Sequence, residues 1–147
     1  MLKRCLLIYS ALISSAGSIV YAEEEIVLPQ EEVKSLISGN TIKGTYLDTN
    51  IPFTSYFDDD GTVQQKRAGE IRQGEWYINE KGWHCIKWDT KEKQNKNEKK
   101  DSEPVKPKCR IVVKDNETYK EIALTKEGKR RYTLIINKII EGNPDGL

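Results

Sequence analysis

The sequence predicts a mainly β protein: an antiparallel meander of about eight strands preceded by one short helix. Three observations carry this. From Thr41 onward, segments of strand length with period-two alternation follow one another. The links between them are short and rich in turn formers, as in Asp58-Asp59-Asp60-Gly61, Glu80-Lys81-Gly82, Asp115-Asn116 and Lys126-Glu127-Gly128. Only one gap, 89–107, reaches the dozen or so residues that a parallel crossover requires.

The chain opens on Met1-Leu2-Lys3-Arg4, runs apolar from Cys5 to Val20 with interruptions by Ser and Gly, and reaches Val20-Tyr21-Ala22 before Glu23-Glu24-Glu25. This is the pattern of a secretory signal peptide over 1–22, with cleavage after Ala22. The apolar run is short for a span needing about 20 residues, so the mature form is expected to have no membrane span. Cys5 heads the run instead of following it, which does not suit a lipid anchor. The expected location is periplasmic or secreted. Residues 23–147 are near the size of one ordinary domain. Removing Lys3 and Arg4 takes the 24 basic side chains to 22 against 23 acidic ones, so the mature chain carries a formal charge of −1. That balance gives no reason to expect nucleic acid as a partner.

Pro29 to Ser38 reads as the helix. Pro29 stands at the first turn, Glu31 and Glu32 lie at its positive end, Val33, Leu36 and Ile37 share a face, and Gly39 stops it. The strands follow at Thr41–Leu47, Phe53–Phe57, Thr62–Arg67, Gly74–Asn79, Trp83–Trp88, Lys108–Lys114, Thr118–Thr125 and Lys129–Asn137. The gap at 89–107 is charged, with Val105 its one aliphatic residue, and is expected to be a disordered insertion. Lys129-Arg130-Arg131 reads as a solvated basic run.

Loss of the leader leaves Cys85 and Cys109, an even number in an exported chain, and a disulfide is expected between them. Placed opposite one another on an antiparallel pair, they set a register in which Trp83 faces Ile111 and His84 faces Arg110.

Reactive machinery is not apparent. His84 is the single histidine, and that register turns it away from any obvious proton acceptor, so no catalytic residue is assigned. Zinc needs three or four Cys or His ligands, and the acids of 58–60 are consecutive instead of alternate as calcium requires. No metal is expected, and without a Gly-rich strand-to-helix loop no cofactor either. The remaining acids fall mainly in turns, where they stay solvated. Aromatic side chains on the strands are the more informative set. Each is most simply a packing residue, but Tyr46, Tyr56, Trp76, Trp88, Tyr119 and Tyr132 are candidates to hold a ligand, with Arg110, Arg67 or Arg130 supplying a charge.

Leu36 to Gly44 (LISGNTIKG), Tyr56 to Thr62 (YFDDDGT), Gly74 to Ile78 (GEWYI), Trp83 to Trp88 (WHCIKW) and Cys109-Arg110-Ile111 stand in a fixed order. Together they resemble a family of small exported bacterial proteins of unknown function over roughly Leu36 to Val113. The resemblance implies that the meander closes into a lipocalin-like, or calycin-like, β-barrel in the periplasm. It carries over no catalytic residue. The Lys-rich insertion between the cysteines departs from the family pattern.

The leading expectation is an exported non-catalytic binding module of the periplasm or cell envelope that holds a small or extended ligand with barrel aromatics. The alternatives are a protein-interaction module, such as an inhibitor or a subunit of an envelope complex, and an envelope polysaccharide hydrolase, which needs two acids converging in a cleft.

Overall fold

A computed structural model describes residues 24–89 and 105–147. The expected leader at 1–22, and all but the ends of the expected insertion at 89–107, lie outside the described residues. Along the chain run β1 (Ile26–Val27), α1 (Gln30–Ile37), β2 (Asn40–Tyr46), β3 (Pro52–Phe57), β4 (Thr62–Arg67), β5 (Glu70–Ile78), β6 (His84–Trp88), β7 (Lys108–Asp115), β8 (Thr118–Leu124) and β9 (Arg130–Glu141). Strands β2 to β9 each pair antiparallel with their chain neighbours, and β9 returns to β2. The meander thus closes into an eight-stranded barrel of the calycin-like kind expected, with β1 as an extra strand. Closure removes the free edges that an open sheet would expose.

Alternation decides what faces the interior. On β3, Phe53, Ser55 and Phe57 are buried while Pro52 is exposed, and on β4 Val63 and Gln65 are buried. At one end the interior is solid. Ile42, Phe57, Val63, Trp76, Val112 and Ile136 pack together, and α1 lays its fully buried Val33 and Ile37 on them with Leu28 alongside. The helix stops where Gly39 takes φ +69°, a left-handed conformation, and Asn40 Nδ2 donates to the Leu36 carbonyl at 3.0 Å.

Elements differ from expectation by more than one residue at three places. The segment that follows Glu23-Glu24-Glu25 contains β1, which pairs Ile26 with Lys114 and Val27 with Val113. Strand β5 starts at Glu70 instead of Gly74, because Ala68 and Gly69 form a two-residue turn with φ of +49° and +79° that pairs Arg67 with Glu70. Strand β9 continues past Asn137 to Glu141, since Ile139 and Ile140 pair with Ile42 and Thr41.

The cysteine register is as expected: Cys85 opposes Cys109 and His84 opposes Arg110, and the two cysteines form a disulfide. Trp83 lies just outside β6.

Candidate functional site

The opposite end of the barrel is hollow. A cavity of about 390 Å³ opens among the last residues of β2, β4 and β6 and the first of β3, β5, β7 and β9, away from α1. Its deeper wall is apolar, with Ile42, Phe53, Phe57, Ile86, Leu134 and Ile136. Its upper wall is cationic: Arg67, Arg72, Lys108, Arg110 and Arg131 line it, against the carboxylates of Asp48 and Glu121. Among the described residues, none of those five bases forms an ion pair.

Arg72 is the best-held of them. It sits opposite Gln65 in the β4–β5 register. Its Nε donates to Gln65 Oε1 at 3.0 Å and its Nη2 to the Tyr46 hydroxyl at 3.1 Å. The guanidinium lies over the Trp88 ring, 3.7 Å from Cζ to the centroid. Gln65 is itself buried and donates from Nε2 to Ser55 Oγ at 2.8 Å. Burial pulls the Arg72 pKa below its ordinary value; the Tyr46 oxygen opposes this and the Arg67 charge adds to it. Arg67 stacks on the Tyr46 ring, 4.3 Å from Cζ to centroid. Two guanidinium groups therefore share one tyrosine, and among the described residues neither is paired with a carboxylate.

His84 lies at the floor, 2% exposed, in T-shaped contact with Phe57 and Trp76. Its Nδ1 is 2.7 Å from Oε1 of Glu121, which is 6% exposed. This corrects the expectation that His84 lacks a proton acceptor and that the acids stay solvated. The acceptor comes from β8, two strands away, where inward alternation buries Glu121 opposite Val112. His84 Nε2 is buried and has no hydrogen-bond partner among the described residues.

Of the residues expected to hold a ligand, Tyr46, Trp88, Tyr132 and Arg110 line the cavity, as does Arg67. Tyr132 is 45% exposed at the rim, and its hydroxyl donates to Glu25. The others lie elsewhere. Tyr56 alternates with inward Ser55 and Phe57 and so faces outward. Trp76 is buried in the solid half, its Nε1 donating to the Asp58 carbonyl at 2.8 Å. Tyr119 packs against the apolar core. Arg130 pairs with Glu25 at 2.8 Å. Arg72, Gln65, Ser55, Lys108, Arg131, His84 and Glu121 were not expected at the site. The one signal for Arg72 and Gln65 was the Ala68-Gly69 turn, which fixes their pairing.

Among the described residues no group of His, Cys, Asp and Glu is arranged to hold a metal, and no helix is long and apolar enough to cross a membrane. No family model matches the chain, and comparison with curated proteins gives no match.

Proposed function

We propose that the protein is an exported binding module of the periplasm or cell envelope, which holds a small ligand in the open half of its barrel without transforming it. The observation that carries this reading is the cavity. Its volume of about 390 Å³ falls in the range of small-molecule sites, and it combines an apolar wall with a few placed polar groups. The interior is divided so that one half supplies stability and the other the space. A non-catalytic role is supported by the way the polar groups are engaged: Ser55 Oγ accepts from Gln65, and His84 gives Nδ1 to Glu121 while, among the described residues, no hydroxyl stands at Nε2. Export is supported by the apolar N-terminal run and by the disulfide, which an oxidising compartment maintains.

Native mass spectrometry of the oxidised protein, purified from its own host, is expected to show a bound mass that organic extraction removes. A bare chain in that experiment, together with no amide shift at Tyr46, Trp88 or Leu134 on adding a small-molecule library, ends the reading.

A further inference from the structure

Resting on the reading of the cavity as a ligand site, we propose that it selects an organic anion. The acidic group binds the free Nη1 of Arg72 beside Arg67, and the apolar body lies against Phe53, Ile86 and Leu134. Charge is the first argument. The lining holds five bases against two carboxylates, so positive charge is in surplus. Guanidinium groups on one tyrosine repel each other, and an anion between them turns that repulsion into attraction.

Preorganisation is the second. Trp88, Gln65 and Tyr46 fix the plane of the Arg72 guanidinium through its face, its Nε and its Nη2. Its Nη1 has no protein acceptor among the described residues. The two N–H groups of Nη1, held in a fixed direction on an always-charged group, are suited to an oxygen of a carboxylate, sulfonate or phosphate monoester. A neutral sugar is a poorer match, because its hydroxyls need acceptors as well as donors and this rim is dominated by donors. The apolar wall below the rim calls for more than a bare ion.

The test uses two dyes with the same ring system, 1-anilinonaphthalene-8-sulfonate and its uncharged analogue N-phenyl-1-naphthylamine, with the oxidised full mature chain. The sulfonate is expected to bind at least about tenfold more tightly, to weaken as salt rises, and to shift the amides of Arg72, Trp88 and Leu134. Arg72→Met is expected to abolish the preference and Arg72→Lys to restore part of it. Arg130→Met, outside the cavity, is expected to leave it unchanged. Thermal melts and amide spectra of each variant confirm that the fold is retained. Equal binding of both dyes in the cavity overturns anion selection and leaves the binding reading standing. Failure of both dyes to shift cavity amides overturns the two together. Competition then separates the headgroups: octanoate or octyl phosphate displacing the sulfonate, with octanol inert, supports the proposal and says which acid is preferred. Displacement by octanol equally well overturns it.

Discussion

Glu121 and His84 show how a single buried pair is coupled to the rest of the interior. Each loses its hydration, and each is compensated mainly by the other across 2.7 Å. Truncating one member strands the other, so His84→Leu is expected to destabilise the barrel by about 3–5 kcal/mol. The double variant His84→Leu/Glu121→Met is expected to recover most of that loss, because an apolar pair of similar volume leaves nothing unsatisfied. Urea denaturation of the parent, His84→Leu, Glu121→Met and the double variant checks this, and additive losses sink it. A gentler case is Asp60 in the turn between β3 and β4. The Thr62 hydroxyl and then the Thr62 backbone N–H donate to it, at 2.7 and 2.8 Å, and lower its pKa from the ordinary value. Its contribution to stability is thus present above the ordinary Asp range and is lost as pH falls through the folded-state value. Thr62→Val is expected to raise the Asp60 pKa back toward its ordinary value, as read by NMR titration.

At the level of strands and turns, backbone geometry explains what the sequence pattern showed and what it hid. The eight main strands were legible because inward residues alternate with polar ones between Asp-, Asn- and Gly-rich turns, and the disulfide register followed from two cysteines in adjoining strands. The start of β5 was not legible. Its opening Glu70-Ile71-Arg72-Gln73 puts the apolar Ile71 outward and the charged Arg72 inward, which inverts the usual pattern. The turn before it places an alanine at φ +49°, a conformation that L-residues avoid. Arg72 therefore looked like loop, and the site lost its central residue. Ala68→Gly is expected to raise stability by about 0.5–1 kcal/mol, since relief of left-handed strain exceeds the added chain entropy. Ala68→Val is expected to lower it, with urea midpoints reporting both. Gly44 is constrained differently. It sits at the irregularity in the β2–β9 ladder, where a Cβ would meet the Ile135 carbonyl at 2.4 Å and the Phe53 ring at 2.6 Å. Gly44→Ala is expected to cost about 1–3 kcal/mol and to displace Phe53 from the cavity wall.

Over the whole molecule, the motifs behind the family resemblance divide between the two ends: Trp88 and Arg110 line the cavity, while the turn residues of the other motifs lie at the closed end. Gly39, Thr41, Asp58 and Trp76 are tied together at the closed end: Trp76 Nε1 reaches the Asp58 carbonyl, Gly39 N–H the Phe57 carbonyl, and Thr41 Oγ1 the Gly142 carbonyl at 2.6 Å. These residues specify closure, which is why the sequence revealed the architecture more fully than the site. Convergence of Arg72, Tyr46 and Trp88 depends on how three strands curl together, and local spacing does not record it. The barrel also has a thin seam. Only His84, Cys85 and Ile86 of β6 find partners on β7, and beyond them β1 takes over the vacated edge with Leu28 N–H donating to the Val112 carbonyl at 3.0 Å. The disulfide joins the middle pair of that seam, across a sequence separation of 24. By restricting the unfolded chain, such a link stabilises by about 3.5 kcal/mol in the loop-entropy description. Reduction is expected to remove about that much by urea denaturation, and to raise hydrogen exchange first at amides of 84–88 and 108–110, ahead of the β2–β3 and β8–β9 ladders. Uniform acceleration across all strands is the result that rules out a local seam, because it shows that the barrel opens only as one unit.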